Sequence, residues 1–272
     1  MNRFLRHLQT IVLRTRDWIS DKFLGGRLSK PDPAEALATE WYFAKTGKRG
    51  RRLFVFLPGR RDRGSDFFRR GFIALAQERV PGLDCVAVDA TIGYYLDGSI
   101  ADRLHCEIVG PARTLGYGEI WLVGVSMGGL GAFFHERAYP GQVTGLILLA
   151  PFVGDDRKLL AEIDAAGGAV AWASSQFVAA AKPNRAEFQR ALWCFLGRLK
   201  SDQDLQIWMA YGEGDRLLPG IERLRTLIPG ERVVRLPGGH TWEVWLRGFT
   251  EILAKIGWDR TPPDDGQNNR AE

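Results

Sequence analysis

Cysteine and histidine are both scarce here, with 3 and 4 respectively in 272 residues. Cys85, Cys106 and Cys194 show no C-x-x-C spacing, which argues against a zinc finger or a disulfide framework. Their apolar or helical settings predict reduced, mostly buried thiols and a reducing compartment. Long hydrophobic runs are missing as well. No apolar stretch approaches the ~20 residues that a membrane-spanning helix needs, and no secretory core follows the basic start. A cytoplasmic protein is the expectation. Internal repeats are absent, and compositional bias is confined to the end of the chain.

Positive charge is present but localised. The formal net charge is +5. Residues 1–30 carry seven Lys/Arg against Asp17 and Asp21, so the rest of the chain holds thirty charges of each sign. A nucleic-acid enzyme spreads basic residues over its body. The neutral body therefore excludes nucleic acid as the expected partner.

Asn2 to Leu24 has helical periodicity: Phe4, Leu5, Leu8, Ile11, Val12, Trp18, Ile19 and Phe23 share one face. Residues 1–30 are thus expected to form a basic amphipathic N-terminal helix, ended by Gly25-Gly26 and a Pro31-Asp32-Pro33 linker. Two roles suit residues 1–26: packing on the body or on a second copy, and peripheral contact with anionic lipid at the inner membrane face. Lys22 interrupts the apolar face, which favours packing. Asp17 and Asp21 disfavour a mitochondrial address, since transit peptides avoid acids.

From residue 38 to 258 strands and helices alternate, which predicts an α/β domain with a mostly parallel central sheet flanked by helices. Expected strands are Glu40–Ala44 at an edge, then Arg52–Leu57, Asp84–Asp89, Glu119–Val125, Val143–Leu149, Leu205–Tyr211 and Arg232–Leu236. Helices are expected at about Asp66–Glu78, Ile100–Leu115 and Trp242–Ile256, with Tyr94, Tyr95 and Gly98 in a loop. Between about 152 and 200 the alternation lapses into helical stretches, Arg157–Ala165 and Arg185–Leu199, a cap-like insertion. The Pro/Asp/Gln/Asn-rich tail, 259–272, is expected to be disordered.

The most informative stretch is Ile120-Trp121-Leu122-Val123-Gly124-Val125-Ser126-Met127-Gly128-Gly129. A β-branched run ends at Gly124 and helix formers follow, with a serine at the tip. Gly124-x-Ser126-x-Gly128 is a nucleophile elbow, which holds the hydroxyl exposed above the sheet and aims the Met127 amide at a developing oxyanion. A serine hydroxyl needs a base within hydrogen-bond reach, and the base needs an orienting carboxylate. Of the histidines, His7 lies in the arm, His135 lies too far along the elbow helix, and His105 sits inside a predicted helix. His240 remains, in Gly238-Gly239-His240 directly after the last strand.

On these residues the chain resembles, from roughly Arg51 to Ile256, the serine hydrolases of the α/β-hydrolase fold, the esterases, lipases and thioesterases that carry G-x-S-M-G-G. The resemblance implies His240 as general base. Gly212-Glu213-Gly214-Asp215-Arg216-Leu217-Leu218-Pro219 is similar to the family's G-x-x-D-x-x-x-P ending, which implies Asp215 as the acid, with Asp155 or Asp156 in reserve. Ser126, Asp215, His240 is the family's chain order. The second oxyanion donor is implied at the Arg60 amide in Pro58-Gly59-Arg60, although the histidine that often precedes that glycine is missing. Tyr94, Tyr95, Trp172 and Phe177 are candidate substrate contacts.

The implied activity is cleavage of a small-molecule carboxylic ester or thioester through an acyl-enzyme, with no metal and no organic cofactor. Peptidase and acyltransferase chemistry use the same triad. The contrasting class is a non-catalytic, membrane-associated interaction protein built on the same fold.

Overall fold

The computed structural model describes residues 35–44, 52–176, 187–199 and 205–258. The basic arm, Phe177 and the tail lie outside these residues. Among the described residues the strands are Thr39–Tyr42 (β1), Arg52–Leu57 (β2), Leu83–Val88 (β3), Glu119–Val125 (β4), Gly145–Leu149 (β5), Gln206–Gly212 (β6) and Val233–Leu236 (β7). They form one seven-stranded sheet in the order β1-β3-β2-β4-β5-β6-β7. Only β1, at the edge, runs antiparallel to its neighbour. All other pairings are parallel, so their C-terminal ends emerge along one edge. β2 and β3 are buried along their whole length, as strands are when both faces of a sheet are covered.

The helices follow the expected alternation with informative departures. One helix was expected over Asp66–Glu78; the chain instead forms Gly64–Arg69 (α1) and Phe72–Arg79 (α2). Gly71 breaks them apart at φ 84°, a left-handed conformation that suits glycine. Tyr94 and Tyr95 lie in a short helix, Ile92–Leu96 (α3), rather than a loop. Ile100–Leu104 (α4) and Gly110–Thr114 (α5) flank a π-helical segment, His105–Val109, within one continuous helical run. Met127–Ala138 (α6) follows β4. After β5 come Arg157–Ala165 (α7), Ala169–Ser175 (α8) and Phe188–Arg198 (α9). Leu218–Arg225 (α10) follows β6, and Trp242–Ile256 (α11) ends the fold.

Residues two apart on β2 face the same way. Phe54 and Phe56 accordingly meet Phe249 of α11 at 6.5 and 6.1 Å between ring centroids, and Phe56 meets Phe67 of α1 at 5.0 Å. Trp258 closes this cluster against Phe54 and Trp121. Helix α6 packs against β2, β4 and β5. The buried carboxylate of Asp84 accepts the Tyr117 hydroxyl and the Ala44 amide, each at 2.7 Å. Of the three thiols, Cys85 and Cys194 are buried and Cys106 is exposed. No helix among the described residues is long and apolar enough to cross a membrane.

His135 on α6 is wholly enclosed, and neither ring nitrogen has a hydrogen-bond partner. Burial, helped by the neighbouring His105, pulls its pKa down to about 4. The folded state therefore holds it neutral, while the unfolded chain protonates it near its ordinary value of 6.5. This contribution to stability is complete above pH 6.5 and is lost as pH falls from there to about 4. The loss should amount to about 3 kcal/mol. Urea midpoints of wild type and His135→Leu, compared at pH 7 and pH 4.5, should show a smaller acid loss in the variant. Equal losses would contradict this assignment.

Candidate active site

β4 ends at Val125 and the chain turns at once into α6. Ser126 at the turn has φ 52° and ψ −111°, a strained conformation that costs about 1–3 kcal/mol. The turn is held from both sides. The Ser126 amide donates to the Leu149 carbonyl at 2.9 Å, and its own carbonyl accepts the Gly129 and Phe152 amides at 3.0 and 2.9 Å.

Strand and helix pass too closely here for side chains. A Cβ on Gly124 would stand 2.5 Å from the Gly128 backbone, and one on Gly128 would stand 2.6 Å from the Leu57 carbonyl carbon. Gly128→Ala should therefore cost about 2–3 kcal/mol and lower Tm by about 5–10 °C. A melting curve identical to wild type would contradict this close-packed turn.

The C-terminal ends of three parallel strands bring the candidate triad together. Ser126 follows β4, Asp215 lies three residues beyond β6, and His240 lies four residues beyond β7. His240 Nε2 lies 3.0 Å from Ser126 Oγ. His240 Nδ1 lies 2.8 and 3.0 Å from the two Asp215 carboxylate oxygens. The tautomer that satisfies all three groups carries its proton on Nδ1, donates it to Asp215 and accepts from the serine hydroxyl. Asp215 is 4% exposed and also accepts the Leu217 amide at 2.8 Å, so its carboxylate is fixed before the imidazole meets it.

The reserve acids point elsewhere. The Asp155 and Asp156 amides donate to Gln189 Oε1, and the Asp156 side chain caps α7 by accepting the Lys158 and Leu159 amides. His105 is stacked on Tyr139 at 3.8 Å between centroids, away from this hydrogen-bonded line.

The turn at the elbow is crowded, and Ser126 as a whole residue is 8% exposed. The Phe152 amide is bonded to its carbonyl. A Cβ on Gly59 would lie 3.7 Å from the Ser126 Cβ, so the loop after β2 closes over it from the other side. Met127 is the first residue of α6, so helix geometry leaves its N–H without an intrahelical acceptor, at the electropositive end of the helix.

The other candidates sit apart from this line. The Tyr94 ring lies under the Arg103 guanidinium, 5.5 Å from its centroid. The Tyr95 hydroxyl is buried against Gly131 without a hydrogen-bond partner, and burial pushes its pKa up. Trp172 is 2% exposed, with Arg190 over its ring at 5.2 Å; it packs the helical layer, and its candidacy as a substrate contact is not supported by that placement. One neighbour of the site was not singled out from sequence. Trp245 stands 4.8 Å from the His240 ring, and its place in the apolar stripe of α11 gives no signal beyond that of a core residue.

Together, the mostly parallel sheet and its flanking helices are the α/β-hydrolase fold. Est1E from Butyrivibrio proteoclasticus superposes with a TM-score of 0.56 at 16% identity, covering 81% of this chain and 92% of that one. A peroxisomal alpha-beta-hydrolase from Saccharomyces cerevisiae superposes at 0.54 and 12% identity, covering 90% of each chain. A putative hydrolase from Agrobacterium vitis S4 gives 0.50 at 20% identity, covering 82% of this chain and 100% of that one. No protein-family model and no curated protein sequence matches the chain.

Proposed function

We propose that this chain is a serine hydrolase that cleaves a carboxylic ester or thioester through an acyl-enzyme on Ser126. The observation that carries the reading is the unbroken hydrogen-bonded line from Ser126 through His240 to Asp215. His240 Nε2 takes the hydroxyl proton as Oγ attacks the substrate carbonyl, and Asp215 stabilises the imidazolium that forms. The oxyanion is received by the Met127 amide and the Arg60 amide. When the tetrahedral intermediate collapses, the imidazolium gives its proton to the departing alcohol or thiol. Water, deprotonated by the same imidazole, then attacks the acyl-enzyme and releases the acid. No step calls for a metal or an organic cofactor. A ferulic acid esterase among the similar folds agrees with ester chemistry at the level of reaction class.

A panel of chromogenic esters and acyl thioesters of varied chain length tests the proposal. Wild type should turn over at least one member of the panel, and Ser126→Ala should turn over none. Hydrolysis that persists at the wild-type rate in Ser126→Ala would overturn it.

A further inference from the structure

Two hydrogen bonds and the bond to Cβ hold the His240 ring, and the freedom that remains is a rocking of its plane about the line joining Nδ1 and Nε2 as the side-chain torsions shift. The backbone before it is placed by hydrogen bonds, the Gly238 and Gly239 carbonyls accepting the Gly214 and Thr241 amides at 2.8 and 3.0 Å, so the plane of the ring is what remains to be held. What stands beside the ring is Trp245. Its plane is nearly perpendicular to the imidazole, at 84°, with 4.8 Å between centroids.

The indole is itself immobilised. Trp245 is 4% exposed, and Trp242 meets it at 5.2 Å and 69°. Its amide donates to the Thr241 carbonyl at 3.1 Å, so the side chain grows from the first turn of α11. That helix is anchored on β6 and, through Phe249, on the Phe54 and Phe56 rings.

We propose that Trp245 is a positioning residue for His240: its ring blocks the tilt that the two hydrogen bonds permit, and so keeps Nε2 on the serine hydroxyl and then on the leaving group. Its kinetic consequence rests on the serine-hydrolase reading above. Misplacing a catalytic group by about 1 Å can cost about 100-fold in rate. The loss falls on kcat, because the indole does not touch the substrate in this role.

Trp245→Phe and Trp245→Leu separate positioning from packing. Phenylalanine keeps a flat ring beside the imidazole, whereas leucine fills part of the volume without one. Trp245→Leu should lower kcat by about 100-fold with KM unchanged within about threefold, and Trp245→Phe should restore most of the loss. A readout independent of turnover is the far-downfield proton resonance of a strongly hydrogen-bonded imidazole N–H, identified by its absence in His240→Ala. It should be present in wild type and Trp245→Phe and lost in Trp245→Leu.

An intact resonance in Trp245→Leu would overturn the proposal, as would a kcat deficit that Trp245→Phe fails to relieve. If wild type turns over no ester, the hydrolase reading fails, while the resonance in the three proteins still decides whether the indole holds the imidazole.

Discussion

Ser126→Ala and His240→Ala should each lower kcat for a susceptible ester on the order of a million-fold, and the double variant should be scarcely slower than either single one. The reason is the shared proton. At 3.0 Å between Nε2 and Oγ, the hydroxyl is activated only while the imidazole accepts from it, so removing either partner removes the same step. What survives is binding and the proposed oxyanion donors, which would act on any attacking water. Single-turnover rates of the three variants, measured at saturating ester, give the comparison. Losses that multiply in the double variant would mean that the two side chains serve separate mechanisms.

The second large effect is expected at Asp215. Asp215→Asn should cost about 10,000-fold in kcat with the fold intact. The carboxylate accepts from His240 Nδ1 and from the Leu217 amide. An amide in its place offers N–H groups that favour the other imidazole tautomer, with the proton on Nε2. That nitrogen could then no longer accept from the serine. Asp155→Asn and Asp156→Asn should stay within about twofold of wild type, since the first is bonded to Gln189 and asparagine caps a helix as well as aspartate does. A large loss at Asp155 or Asp156 with little at Asp215 would reverse the assignment of the acid.

Strands with a long apolar run, such as Leu53 to Leu57 in β2, can be read directly, because burial on both faces leaves no polar alternation to confuse the period. The triad candidates were legible for a related reason: each follows the end of a parallel strand, and parallel strands bring those ends to one edge. Ser126 and His240 are thereby joined across 114 positions.

The helical details were harder. Gly71 sits inside an otherwise helical pattern, where its left-handed φ cannot be told from a tolerated glycine. Pro219 reads as the end of a turn, yet it occupies the first turn of α10, where its missing N–H does no harm. Ala169–Ser175 is short and dominated by small residues, so it carries almost no periodic signal. The enclosure of Ser126 was not legible either, because it depends on how closely the loop at Gly59 approaches a residue 67 positions away.

The central proposal is that Ser126 becomes covalently acylated. Brief exposure of the full-length protein to a fluorophosphonate, followed by intact and peptide mass spectrometry, tests it without knowledge of the natural substrate. One adduct is expected, on the peptide that carries Ser126, absent in Ser126→Ala and greatly slowed in His240→Ala. An adduct at another residue, or none from a protein that still hydrolyses an ester, would contradict it.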